Sequence, residues 1–175
     1  MPNHGRPSEV LSPTCMSYLH PDPDRHLDVE LLVRTDTYHW MIVWVVDPKE
    51  TEGHIKARII HLVQEPGCNY LTYWGAKTQS LLGATYRNAK RLKLGSLSLT
   101  KRRELEQLAK FTRVQVADGD YDCQKWIERV LEQVQGRNLL SGQTCSWALD
   151  QARRCDSFWS LVDDSLSQPA ASRST

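Results

Sequence analysis

The 175-residue sequence has no long hydrophobic run and no closely paired cysteines. Its longest apolar stretch, Trp40 to Val46, has the length of a strand, whereas a membrane-spanning helix needs ~18 apolar residues. We therefore expect no membrane span. The five cysteines form no Cys-x-x-Cys pair, which argues against a disulfide framework and against a zinc ribbon. We expect reduced thiols and no metal or organic cofactor.

The sequence also lacks a large excess of charge of either sign, because its formal net charge is +1. The most basic stretch, from Arg87 through Arg102 to Arg103, is broken by apolar residues and followed by glutamates. A solvated surface explains such a stretch better than a nucleic-acid interface, so we predict no nucleic-acid partner. The first residues contain no apolar segment of the kind found in secretory signals, so we expect a cytoplasmic protein.

The length and a hydrophobic content of 40% fit one globular domain with a single core. Residues 1–26 hold five of the eight prolines, which predicts an irregular N-terminal arm. Residues 165–175 are small and polar without periodicity, which predicts a disordered tail. The predicted domain therefore comprises residues 27–164.

The first half of this domain has the composition of β-strands. Residues 27–34 and 38–46 are separated by a polar turn and predict a β-hairpin, which Pro48 should end because proline cannot continue a central ladder. Residues 55–63 predict a further strand. Residues 80–99 fit neither the helical nor the strand period, and we expect one or two strands there.

The second half shows helical periodicity. Residues 100–111 predict a helix with Thr100 as its N-cap, residues 123–134 a strongly amphipathic helix, and residues 144–162 a last helix with Trp147 facing inward. The sequence thus predicts an α+β fold, with an antiparallel sheet of about four to six strands, the Cys-bearing helix packed on one face and two further helices.

Cys123 is the best candidate for a reactive group, because it begins the helix predicted over residues 123–134. The positive end of the helix dipole and the free N–H groups there stabilise a thiolate, and the same N–H groups can hold an oxyanion. An imidazole is the natural base to take the thiol proton. A cysteine on the apolar face of a helix is, however, more often simply part of the core.

Three short segments resemble the circularly permuted papain-like group of proteins. These segments are Tyr38-His39-Trp40 ahead of an apolar strand, Ile60-His61-Leu62 on the next strand, and Asp122-Cys123-Gln124-Lys125-Trp126-Ile127 opening a helix. The group includes lecithin:retinol acyltransferase-like enzymes and permuted desumoylating-type isopeptidases. The region from His39 to about residue 140 is also similar to fungal domain families with a Tyr-His-Trp strand and a Cys-x-x-Trp helix.

The resemblance implies a role for each matching residue. Cys123 would be the nucleophile, His39 the general base, and His61 the polar group that orients His39. The side chains that would border the substrate are Tyr38, Trp40 and Trp126. The implied function is a cysteine-dependent acyl-transfer enzyme, a hydrolase or a transferase, acting on a peptide or small-molecule substrate, for example in a fungal biosynthetic pathway.

Two departures from the group's pattern bear on this function. Asp122 stands where the group has asparagine, and a carboxylate next to the sulfur opposes thiolate formation. Residues 165–175 also lack the hydrophobic character of the anchor in the lipid-acting members, which argues against a phospholipid substrate. The alternative is a catalytically inactive papain-like module that holds a protein or small-molecule partner. The sequence leaves the oligomeric state open.

Overall fold

The computed structural model describes residues 19–34, 36–37, 39–64, 71–115 and 122–166. Side chains are described as far as Cys155, apart from that of residue 50. Tyr38, most of the predicted N-terminal arm and residues 167–175 of the predicted tail lie outside these ranges.

Most strands belong to one antiparallel sheet, with the order β6-β3-β2-β1-β7. Two short strands, β4 and β5, pair separately. The strands are β1 (Leu27–Arg34), β2 (His39–Thr51), β3 (His54–Ile60), β4 (Val63–Gln64), β5 (Leu71–Thr72), β6 (Lys77–Leu82) and β7 (Lys90–Leu97). The helices of the described ranges are α1 (Gly83–Asn88), α2 (Leu99–Phe111), α3 (Cys123–Gly136) and α4 (Gly142–Leu166). The predicted α+β class with an antiparallel sheet is confirmed.

The hairpin of β1 and β2 places Arg34 opposite His39. Pro48 does not end β2, contrary to the prediction, because β2 runs on to Thr51. The register between β2 and β3 shifts twice, after Val45 and again after Asp47. Pro48 lies within this irregular part, where the ladder does not need the N–H group that proline lacks.

The two faces of the large sheet are covered unequally. Neighbouring residues of a strand project to opposite faces. On one face, which we call the three-helix face, the strands pack with α2, α3 and α4 in the main core. The strand residues of this face include Val29, Leu31, Val33, Trp40, Ile42, Trp44, Ile60, Leu62, Leu92 and Leu94. On the other face, which we call the α1 face, the buried residues are Leu32, Met41, Val43, Ala57 and Ile59.

The short helix α1 packs on the α1 face, where Tyr86 and Ala89 contact the buried residues of the sheet. Residues 80–99 therefore contain the end of β6, α1 and β7, rather than strands alone. A helix of six residues is too short to produce a periodic pattern in the sequence. Tyr86 fixes α1 in place, because its hydroxyl donates to Glu30 Oε2 at 2.6 Å and Arg91 lies 4.8 Å from its ring centroid.

The helix boundaries differ from the prediction in detail. The N-cap of α2 is Ser98 rather than Thr100, because the Ser98 hydroxyl accepts a backbone N–H from the first turn. Trp147, expected to face inward, is 50% exposed, and Phe111 at the end of α2 is 76% exposed. Helix α4 continues to Leu166, past the boundary predicted for the tail.

Arg102 on α2 is completely buried, which corrects the expectation that its basic stretch is solvated. Its Nε donates to the Asp22 carboxylate at 3.1 Å, and its Nη2 donates to Asp22 at 2.9 Å and to the Pro23 carbonyl at 2.6 Å. Its Nη1 donates to the carbonyl groups of Arg25 and Leu97, both at 2.7 Å. Every N–H of the guanidinium thus has an acceptor, and residues 22–25, assigned to the arm, are bound to the domain.

Replacing Arg102 tests this attachment. Arg102→Gln should lower the free energy of unfolding by about 3–5 kcal/mol, because the Asp22 carboxylate stays buried without its cation. Urea denaturation measures the change. The neighbouring Arg103 is exposed, and Arg103→Gln should change stability by less than about 0.5 kcal/mol. Equal unfolding midpoints for the two variants would show that the buried contacts contribute little.

Candidate functional site

Helix α3 begins at Cys123, as the sequence predicts, and presents a fully apolar side to the three-helix face. The buried residues on this side are Trp126, Ile127, Val130, Leu131 and Val134. Cys123 is half-buried, packs against the main core and forms no disulfide. Its sulfur therefore belongs to the layer of helices on this face of the sheet.

The donors at the start of α3 are already bonded. Asp122 is the N-cap, and its Oδ1 accepts the backbone N–H groups of Gln124 at 2.9 Å and Lys125 at 3.0 Å. These are the groups that the predicted mechanism needs for an oxyanion. The Asp122 carboxylate thus occupies two of the backbone N–H groups at the start of α3. An asparagine side chain would bind them less strongly, since a charged acceptor forms a stronger hydrogen bond than a neutral one.

The two candidate histidines lie together. His39 Nε2 and His61 Nδ1 are 2.9 Å apart, and the rings meet edge to face with centroids 5.2 Å apart. Burial, together with the nearby Arg34 charge, lowers the pKa of His39 to about 4. Burial also lowers the pKa of His61 to about 3, aided by the charge that His39 carries when protonated. At neutral pH both rings are uncharged, and the N–H group of one donates a hydrogen bond to the unprotonated nitrogen of the other.

The sheet lies between these imidazoles and Cys123. Trp40 projects into the core of the three-helix face, so His39, the preceding residue, projects from the α1 face. His61 lies between Ile60 and Leu62, which both project to the three-helix face, so it also projects from the α1 face. Each imidazole has the other as its hydrogen-bond partner. The structure brings His39 and His61 together but places Cys123 in the layer on the opposite side.

The tryptophans expected to border a substrate fill the core. Trp40 and Trp126 are both 0% exposed, so their side chains do not reach the surface. The Trp126 ring packs on Tyr73 with centroids 4.9 Å apart, and its Nε1 donates to the Thr112 carbonyl at 3.3 Å. Tyr38, the third residue of this set, lies outside the described residues.

A cleft of about 470 Å³ lies on the α1 face, and we call it the α1 cleft. It lies between β1, β2 and α1, and its lining includes Arg25, His26, Asp28, Glu30, Val45 and Tyr86. A second cleft of about 350 Å³ is lined by Arg34, Asp36, Leu82, Thr85 and Asn88. Neither cleft follows from a local sequence pattern, since each combines distant segments around a helix that the sequence does not reveal. The α1 cleft combines the most varied polar groups with an aromatic wall.

Comparison with known proteins adds no further information about the site. No protein-family model, curated protein or solved structure matches this chain. Within the described ranges, no helix is long and apolar enough to cross a membrane. No three or more His, Cys, Asp or Glu side chains group into a metal site in that part of the chain.

Burial of His39 and His61 should make the folded state less stable in acid. Both pKa values are lower in the folded state than the usual value near 6.5, so the unfolded chain binds protons first as the pH falls. The stabilisation is complete above about pH 6.5 and should be lost progressively as the pH falls from there towards about 4, where the folded form of His39 also binds a proton. Urea unfolding at a series of pH values measures this slope.

The matched variant is His39→Gln combined with His61→Gln, which keeps polar groups at both positions but removes the titration. Its stability should fall less steeply over the same pH range. His54→Gln, which alters a histidine bonded to the Glu52 carbonyl outside this pair, should keep the wild-type slope. Identical slopes for all three proteins would mean that the imidazole pair does not govern the acid response.

Proposed function

We propose that this chain is a binding module without catalytic activity, and that it holds a small molecule in the α1 cleft. This function is the alternative to the cysteine-dependent enzyme that the papain-like resemblance implies. The resemblance extends to an antiparallel sheet with a Cys-bearing helix on one face. In this proposal the chain keeps that arrangement of strands and helix, while the reactive groups are separated.

The separation of Cys123 from His39 carries the argument against catalysis. A general base must lie within hydrogen-bond reach of the proton that it takes, directly or through one water. His39 precedes Trp40 on β2, and His61 follows the end of β3, between Ile60 and Leu62. Because Trp40, Ile60 and Leu62 pack in the core of the three-helix face, both imidazoles project away from the layer that contains Cys123. Burial also lowers the pKa of His39 to about 4 and that of His61 to about 3, so both rings are weak bases.

The start of α3 gives a second reason. An oxyanion hole needs backbone N–H groups that are free to bind the developing charge. The Asp122 carboxylate accepts two of these N–H groups, and a substrate would have to displace it.

The α1 cleft supports a binding role. Its volume of about 470 Å³ falls within the range of small-molecule sites. Its walls are fixed, because Arg102 binds the carbonyl of Arg25 and Tyr86 bonds to Glu30. A preformed site loses little conformational freedom when a ligand enters, so more of the contact energy appears as affinity.

Thiol labelling separates the module from the enzyme. Iodoacetamide should alkylate Cys123 no faster than a free thiol, without a reactive phase at low pH, because His39 and His61 project from the α1 face and Asp122 accepts two N–H groups at the start of α3. Peptide-resolved mass spectrometry follows each cysteine, and the half-buried Cys155 on α4 is the internal control. His39→Gln should leave the Cys123 rate unchanged. Rapid labelling at low pH that His39→Gln abolishes would restore the enzyme.

Fragment binding tests the cleft directly. A mixture of small aromatic and polar fragments, followed by backbone amide NMR shifts, should perturb residues around the α1 cleft such as Asp28, Glu30 and Val45. The second cleft is the reference, and resonances of Thr85 and Asn88 should change less. Shifts concentrated around Cys123, or an absence of shifts at the α1 cleft, would contradict the proposed function.

A further inference from the structure

We infer that the ligand of the α1 cleft is a small organic anion, whose carboxylate or phosphate group is bound by Arg25. This inference rests on the binding function proposed above. It comes from the charges around the cleft: among the residues that the structure describes, no acidic side chain forms an ion pair with the Arg25 guanidinium.

Both acidic residues of the cleft have partners. Asp28 forms an ion pair with Lys93 on the neighbouring strand β7, at 2.7 Å. Glu30 accepts the Tyr86 hydroxyl at 2.6 Å, and the Arg91 guanidinium lies against the same ring. Lys93 thus pairs with one of the two carboxylates, and Arg91 lies beside the ring that binds the other, so the cations on β7 offset part of the negative charge of the lining.

Arg25 has no such partner. Its side chain is exposed and lines the cleft, and none of the described acidic residues forms an ion pair with it. Its backbone is fixed, because its carbonyl accepts from buried Arg102 at 2.7 Å. The planar guanidinium presents paired N–H groups that match the two oxygens of a carboxylate or phosphate. The imidazole of His26, beside it in the lining, supplies a further N–H.

The remaining lining indicates the rest of the ligand. Tyr86 offers a ring and Val45 an aliphatic side chain, so part of the cleft favours a flat or apolar body. An anionic group at Arg25 and an aromatic body beside Tyr86 together fit the chemistry of this site. A bare inorganic ion would use only the first of these contacts.

Three isosteric probes test the charge preference. Benzoate, benzamide and benzamidinium have the same shape and carry charges of about −1, 0 and +1 at neutral pH. Titration with each, followed by amide NMR shifts of the cleft residues, should give tightest binding for benzoate. The loss of a charge-assisted hydrogen bond should weaken benzamide by about tenfold. Added salt should weaken benzoate and leave benzamide unchanged.

Matched variants locate the charge that is responsible. Arg25→Gln should remove the preference for benzoate over benzamide, whereas Arg103→Gln, which changes an exposed cation on α2 outside the cleft, should keep it. Lys93→Gln should weaken benzoate by about two- to fivefold, because it leaves the Asp28 charge unpaired at the cleft. Urea unfolding of each variant checks that the fold is kept.

The outcomes distinguish this inference from the function on which it rests. If the three probes bind equally in the cleft, or benzamidinium binds best, the anion inference is wrong and the binding function stands. The same conclusion follows if Arg25→Gln keeps the benzoate preference. If neither these probes nor the fragment mixture shifts a resonance of the cleft, the binding function itself is wrong.

Discussion

The buried ion pair between Arg102 and Asp22 is the contact on which the arrangement of this domain depends. A buried guanidinium is tolerable only when every N–H finds an acceptor, and here the acceptors come from Asp22, Pro23, Arg25 and Leu97. Trp44 on the central strand β2 also donates to Asp22, at 3.0 Å. One cation therefore ties the segment ahead of β1 to the start of α2 and to the core of the sheet.

A second constraint is that neighbouring side chains of β2 project to opposite faces of the sheet, which decides on which face each candidate side chain lies. A shift of one residue along a strand exchanges its two faces, so His39 and Trp40 cannot both serve the same layer. Trp40 occupies the main core, and the imidazoles are left for the opposite face. The residues that resemble a catalytic set are present in the expected chain order, but the sheet divides them. The order of Cys123, His39 and His61 along the chain therefore does not by itself bring them into one site.

The sequence predicts regular elements well and contacts between them poorly. The hairpin of β1 and β2 and the helix starting at Cys123 follow from local periodicity and capping, because those depend on neighbours in the chain. Burial of Arg102 cannot be predicted in this way, since all its partners except Leu97 lie 77 to 80 positions away and a basic stretch normally faces water. The α1 cleft depends on a helix of six residues, which is too short to have a signature.

The attachment of residues 22–25 has a consequence for how the domain responds to occupancy. Arg25 belongs at once to the lining of the cleft and, through its carbonyl, to the Arg102 network. A ligand that binds only while residues 22–25 are docked shifts the docking equilibrium of this segment towards the docked form. By reciprocity, docking of the segment raises the affinity for the ligand by the same factor. Ligand binding in the α1 cleft would thus slow amide exchange and proteolysis in the segment directly ahead of β1.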